Sequence, residues 1–208
     1  MDATKEVIKV PGDRAFHEML QVARARLDKR DPEKIAEHSG AVYDPETSTL
    51  RLTSLDKDIT LTFPQLACSS KLDEWHHLLR LHYLDLADGT PVSDRLISFG
   101  MLKDGMIRGT KFDRTVEQEL EKFLRDKTPE EVERICRALG AEKIHSKADL
   151  SMVFPFFPNY PVTVNIWFAD EEFGPSGKML LSESADHYLT VEDAVTVGDV
   201  LLKMLASV

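Results

Sequence analysis

The sequence predicts an α+β fold, with antiparallel strands and several packed helices in a single domain spanning residues 1–208. Three observations predict it. Apolar residues recur at helical spacing in five separate stretches, from Phe16 to Leu205. Between them lie short alternating runs joined by turn residues, as antiparallel hairpins require, rather than by crossover helices. No repeat, low-complexity tract or linker divides the chain into separate cores.

Pro11-Gly12-Asp13 opens the first helix with Asp13 as its N-cap, and Phe16, Leu20, Ala23 and Leu27 form one stripe. Asp31-Pro32 interrupts it, because proline cannot continue the hydrogen-bond ladder, and a short helix over Glu33–His38 follows, stopped by Gly40. Asp44-Pro45-Glu46-Thr47 reads as a turn. Leu50 and Leu52, then Ile59, Leu61 and Phe63, alternate with polar neighbours as short half-buried strands do. Ser70-Lys71-Leu72-Asp73 has capping-box character before a helix whose inner stripe is Trp75, Leu78, Leu79, His82 and Leu86, stopped by Asp88-Gly89. A strand is expected within Leu96–Leu102. Phe112, Val116, Leu120 and Leu124 mark the next helix. Thr128-Pro129-Glu130-Glu131 then starts another, lined by Val132, Ile135, Cys136 and Leu139 and ended by Gly140. Leu150–Phe157 and Val162–Phe168 read as a hairpin about "PNYP", with a further strand over Lys178–Leu181 after "GPSG". Thr190 caps a last helix whose inner face is Ala194, Val197, Leu201, Met204 and Leu205.

Hydrophobic residues make up 42% and charged residues 30%, the balance of a globular protein rather than a disordered one. The net charge is -10, and Asp149–Val208 holds nine acids against two lysines, which is -7 of it. That surface repels phosphate backbones, which argues against nucleic-acid binding. The basic run "RARLDKR" at Arg24–Arg30 reads as the wet face of a helix. No apolar run approaches the roughly 20 residues that span a bilayer, and "MDATKEVIKV" has no signal-type apolar core. Cys68 and Cys136 stand far apart with no CxxC or CxxxC spacing, which excludes a thiolate zinc site or iron–sulfur cluster held by this chain alone. The expectation is a cytoplasmic protein with reduced thiols and no membrane or nucleic-acid partner.

The candidate site residues cluster late in the chain. Asp170, Glu171 and Glu172 follow an apolar strand, and Asp186 and His187 come shortly after. Oxygen ligands with one imidazole suit magnesium, manganese or zinc if the groups converge across the hairpin. The competing reading is an acidic turn in water, one carboxylate accepting from backbone N–H groups. Thr190-Val191-Glu192-Asp193 has capping-box spacing, so its acids belong to a helix start. In "WHHLLRLHY", His76, His77 and His82 lack the i, i+4 spacing of metal-binding pairs; His82 lies on the inner stripe and reads as a core histidine. His77 remains a candidate axial ligand for a haem or corrinoid, which needs one histidine. No P-loop, GxSxG elbow, HExxH pair or GxGxxG turn occurs.

Two stretches carry a resemblance. "LHYLDLADGTPVSDRLISFGML" (Leu81–Leu102) and "PVTVNIWFADEEFGPSGKMLLSESADHYLTVEDA" (Pro161–Ala194) resemble the domain-of-unknown-function family 3786, with "LHYL", "DEEF", "HYL" and "ED" in order. The similar region covers about residues 14–208. The resemblance implies a bacterial or archaeal protein, mostly of anaerobes, with no established activity. Some relatives carry a cysteine-rich iron–sulfur segment and are connected with corrinoid or one-carbon metabolism; this chain lacks that segment. The residues and the resemblance together favour a non-catalytic binding or accessory module for a partner protein or a small cofactor of unknown identity. The alternative is a metal-dependent enzyme with its site at Asp170–Glu172 and His187.

Overall fold

The computed structural model describes residues 11–68 and 74–207. Among the described residues, six α-helices and two antiparallel sheets make up an α+β architecture. Helix α1 (Pro11–Leu27) buries Phe16, Ala23 and Leu27, as its stripe predicts, with Leu20 partly covered. The helix is already under way at Asp13, whose side chain lies outside the described set, as does the expected capping box at Ser70–Asp73. Helix α2 (Pro32–Ser39) starts where Asp31 accepts a hydrogen bond from the Glu33 N–H at 3.0 Å, with proline in the first turn, where its missing N–H costs nothing.

The first sheet is a meander of β1 (Val42–Asp44), β2 (Thr49–Ser54) and β3 (Lys57–Thr62). Leu50 and Leu52 face Leu61 and Ile59 across the ladder, and all four are buried. Phe63 falls just past β3 and is only partly buried. The second sheet runs in the order β4-β8-β7-β6-β5, every pair antiparallel. Its centre is the hairpin β6 (Leu150–Phe157) and β7 (Tyr160–Trp167), extended on one side by β8 (Ser176–Ser182). The last is longer at both ends than the Lys178–Leu181 expected. Strands β4 (Leu96–Ile97) and β5 (Glu142–Ile144) are short edges, the device that blunts unpaired ladders. The residues of β5 are all exposed, so no alternation announced it.

A buried strut joins the sheets. The Ser54 hydroxyl donates to the Phe156 carbonyl oxygen at 2.5 Å, and its oxygen lies 2.7 Å from His76 Nε2, which therefore donates. The Leu55 N–H donates to the Pro155 carbonyl at 2.7 Å beside it. Buried side chains from both sheets and all six helices form one continuous core.

Helix α3 (Glu74–Leu86) departs from expectation. Trp75 and Leu86 are 42% and 38% exposed, and His82 is half-buried. The covered residues are Leu78, Leu79, Leu81, Tyr83 and Leu84, together with His76 and Arg80. The helix packs against α1, α2 and α6 at once, so its burial wraps around the axis instead of following one stripe. Helices α4 (Gly105–Leu124) and α5 (Pro129–Ala138) follow their stripes: Phe112, Val116, Leu120 and Leu124 are buried, as are Val132, Ile135, Cys136 and Leu139. In α5 both capping-box bonds form, Thr128 N–H to Glu131 Oε2 at 2.9 Å and Glu131 N–H to Thr128 Oγ1 at 3.3 Å. Helix α6 (Val191–Ser207) buries Val195 and Val200 in addition to Ala194, Val197, Leu201 and Leu205, and Met204 is only partly covered.

Candidate functional site

The sequence candidates divide between the two ends of β8. Asp170 occupies the turn between β7 and β8. Its Oδ1 accepts from the Glu172 N–H at 2.8 Å and the Phe173 N–H at 2.7 Å, and its own N–H donates to the Phe173 carbonyl at 3.0 Å. These backbone bonds favour the ionised carboxyl and hold it below its ordinary pKa. Glu171, Glu172 and Phe173 are exposed. Asp186 and His187 lie past the opposite end of β8, in the single-turn 3-10 helix Glu183–His187. Seven residues of strand separate the two groups, roughly 20 Å at about 3.3 Å per residue. Among the described residues, no three His, Cys, Asp or Glu side chains are grouped so as to hold a metal ion.

Asp186 and His187 instead line a cleft of about 290 Å³ with Leu86, Asp88, Lys103, Asp104, Leu189, Thr190 and Val191. Four chain segments build it: the end of α3, the turn before α4, the 3-10 turn after β8, and the start of α6. Past α3 the chain turns through Gly89 at φ +82°, where a Cβ would lie 3.2 Å from the His38 ring. This turn presents Asp88, whose Oδ2 lies 2.8 Å from His187 Nδ1; Thr90 Oγ1 is 3.1 Å from the same nitrogen. Asp88 Oδ1 also accepts from the Thr90 N–H at 2.9 Å. The hydrogen bond from His187, then those from Thr90, bring the Asp88 carboxyl down to about 2. Beneath, the Tyr188 hydroxyl donates to the Thr90 carbonyl, and the Tyr188 ring stacks on Tyr83 at 5.8 Å.

The opposite wall depends on a close helix contact. Residues Phe99–Met101 form a 3-10 turn lying across α4. A Cβ on Gly109 would stand 2.0 Å from the Phe99 carbonyl oxygen, so only glycine lets the two backbones meet there. Asp113 fastens the turn from below, accepting from the Phe99 N–H at 3.0 Å and the Gly100 N–H at 2.9 Å. Lys103 and Asp104 then reach the cleft, with the Lys103 N–H donating to Asp186 Oδ2 at 2.8 Å. Asp104 sits at φ +60° and makes no side-chain bond to the α4 N-terminus it precedes. The next two large side chains, Met106 and Ile107, are 81% and 84% exposed, and Met101 at the end of the 3-10 turn is also exposed.

The floor rests on a second His–Asp pair. Asp193 in the first turn of α6 accepts from the Thr190 hydroxyl at 2.7 Å and from the Thr190 N–H at 3.3 Å, and the Asp193 N–H donates to Thr190 Oγ1 at 3.3 Å; the two backbone bonds close the expected capping box. Asp193 Oδ1 also meets His82 Nδ1 at 2.6 Å, tying α6 to α3. Burial alone would raise the Asp193 carboxyl, but the bond and charge of His82, with Thr190, hold it below its ordinary value. Glu192 points outward to Arg108 at 3.0 Å.

His77 lies elsewhere, on the α1 side of α3. Its Nδ1 faces Arg80 Nη2 and its Nε2 faces Arg24 Nη2 at 3.2 Å. Burial, then the charges of Arg80 and Arg24, push its imidazole down to about 4. The basic run of α1 is not wholly solvated: Arg24 reaches His77, and Arg26 and Arg30 stand 3.6 and 3.5 Å from Asp85 of α3. Sequence reasoning missed Asp88, Lys103 and Asp104 as cleft residues. Their signal was the two Asp-Gly pairs, Asp88-Gly89 and Asp104-Gly105, both outside hairpins.

An α+β protein with a polar-lipped cleft beside an exposed apolar shelf is the class that fold and site define. The chain belongs to the domain of unknown function family DUF3786, whose model matches residues 31–204. No curated protein and no solved structure matches it. Among the described residues, no helix is long and apolar enough to cross a membrane.

Proposed function

We propose that the chain is a non-catalytic cytoplasmic binding module that docks a partner protein on the cleft and the adjoining shelf of Met101, Met106 and Ile107. The observation that carries this reading is the exposure of Met106 and Ile107, 81% and 84%, immediately after Asp104 at the cleft lip. Contiguous exposed apolar side chains rimmed by polar ones mark interaction surfaces. Asp88, Asp104 and Asp186 on the rim, in a chain of net charge -10, favour a partner whose contact face is basic around an apolar centre. The resemblance to family 3786 is what ties the reading to corrinoid or one-carbon metabolism. The test is affinity capture from the native host's lysate, at low and high salt, with the wild type and an Ile107→Asp variant. A basic partner retained at low salt, weakened by salt and lost with Ile107→Asp supports the reading. No partner above background, or one indifferent to both changes, refutes it.

The second reading, a metal-dependent enzyme or a small-cofactor site, draws on the His187–Asp88 pair. An oriented imidazole at a cleft lip is the arrangement from which a metal ligand or a general base is made. Only Asp186 and His187 of the original acidic set are available to it, because Asp170–Glu172 stand at the far end of β8. Stoichiometric zinc or manganese after anaerobic purification, lost in His187→Gln, would favour it over docking.

A further inference from the structure

Further along α4 and α6 from the cleft, the same two helices enclose a second concavity. They meet closely at Gly198, where a Cβ would stand 2.4 Å from the Phe112 ring. Beyond that contact a groove of about 310 Å³ opens between them. Leu120 rests on β8 at Gly177, where a Cβ would lie 2.8 Å from Leu120 Cδ1. With Phe123, Leu202 and Leu205 it gives the groove its apolar lining, and the ionisable residues there are Glu119, Asp199 and Lys203. Glu119 already bonds Lys122 at 2.7 Å, and Lys203 is exposed, so water solvates its ammonium. Asp199 differs from both. It is half-buried, and among the described residues its carboxylate has no hydrogen bond and no ion pair. Arg108, the other cation that acts on it, is held on Glu192 at 3.0 Å. Burial raises the Asp199 carboxyl above its ordinary value, and Lys203 and Arg108 offset that only in part.

We propose that the groove between α4 and α6 is a binding site for a small amphiphilic amine, its ammonium on the Asp199 carboxylate and its apolar body on Leu120, Phe123, Leu202 and Leu205. A carboxylate held partly from water with no donor facing it is an unmet demand for a cation. A mostly apolar concavity with one such group is also how small-molecule sites are built, the polar group fixing orientation and the walls supplying contact. The charge selects among ligands of one shape. A neutral apolar molecule would strip water from Asp199 and return no donor, and an anion would add repulsion. An ammonium offers three donors and the opposite charge, and a hydrogen bond to a charged group is stronger than a neutral one. The groove shares no residue with the cleft or with the shelf of Met101, Met106 and Ile107, so the site stands whether or not a partner docks there.

The experiment is an amide NMR titration of the full chain at neutral pH with hexylammonium chloride, 1-hexanol and sodium hexanoate, which share an alkyl chain and differ in head group. Hexylammonium is expected to shift the amides of residues 115–123 and 199–206 saturably. It should bind about tenfold more tightly than hexanol, the lower end of what a hydrogen bond to a charged group contributes. Hexanoate should bind more weakly than either. Asp199→Asn keeps the shape and removes the charge, and it should bring the amine to within about threefold of the alcohol while leaving the alcohol unchanged. The wild-type comparison of head groups needs no variant, so the test holds even if Asp199→Asn does not fold. No saturable shift with hexylammonium, shifts confined to other segments, an alcohol that binds as tightly as the amine, or an amine affinity that Asp199→Asn leaves unchanged would each overturn the proposal.

Discussion

The turn at Asp170–Phe173 and the cleft at the start of α6 hold the same kinds of side chain and use them in opposite ways. In the turn, three acids are adjacent in sequence and fan out around one backbone. The first bonds the N–H groups two and three residues ahead, and the other two face water. In the cleft, Asp88, Asp104, Asp186 and His187 come from segments up to 99 residues apart, and the fold fixes their spacing. A cluster in sequence thus satisfies itself locally, whereas convergence of distant segments leaves groups presented to something else. The two His–Asp pairs repeat the contrast on a smaller scale: His82–Asp193 is largely covered and holds α3 to α6, whereas His187–Asp88 is half-exposed at the lip.

The largest effect expected is from Gly109→Ala. Its Cβ meets the Phe99 backbone, not a movable side chain, so the 3-10 turn must shift off α4. The loss should be on the order of 3 kcal/mol or more in urea unfolding. Amide signals of Lys103 and Asp104 should move while those of the Asp170 turn do not. Next comes Asp193→Ala, which removes a cap and strands a partly buried His82, for a loss of about 3 kcal/mol. Asp170→Ala should cost clearly less in the same assay. Equal losses would break the contrast between a local turn and a fold-dependent site.

Acid titration sharpens the contrast. The folded pKa of Asp193 is depressed, so its stabilisation is full above the unfolded value near ~3.9 and is lost as pH falls through the lower folded value. The wild type should therefore lose stability below about pH 4 more steeply than Asp193→Asn. A smaller effect is expected at Asp88: its carboxyl should titrate at about 2 by carbon-13 NMR and move up towards the ordinary ~3.9 in His187→Gln. An unmoved titration would show that the two side chains are not bonded in solution. The smallest effect concerns the molecule as a whole. A core shared by both sheets should unfold in one transition, with fluorescence and circular dichroism coinciding in wild type and in Glu171→Ala alike.

Much of this architecture was legible because local rules and tertiary packing agreed. The stripes of α4 and α5 each bury one face, so periodicity reported them directly, the Thr128 box was legible in four residues, and β6 and β7, none of whose residues is exposed, were legible as two apolar runs about a turn. Helix α3 broke the rule because three helices enclose it, and a helix covered from several sides has no single stripe. Arg80, a charged residue between leucines, is fully buried, which nothing in its sequence position signals. The strand at Glu142–Ile144 carried no signal, since an exposed edge needs no alternation. Of the cleft, Asp186 and His187 were visible as chemistry, and Thr190 and Asp193 as a cap. The partners Asp88, Lys103 and Asp104 were not, because convergence of separate segments leaves no periodic mark.

The most direct test of whether the cleft, and not the acidic turn, is the recognition surface is an amide hydrogen-exchange footprint. It would be taken on the full chain alone and with its captured partner. Protection on binding should fall on residues 99–107 and 183–191 and leave 168–175 unchanged. Protection at 168–175 with the cleft segments unaltered would contradict it.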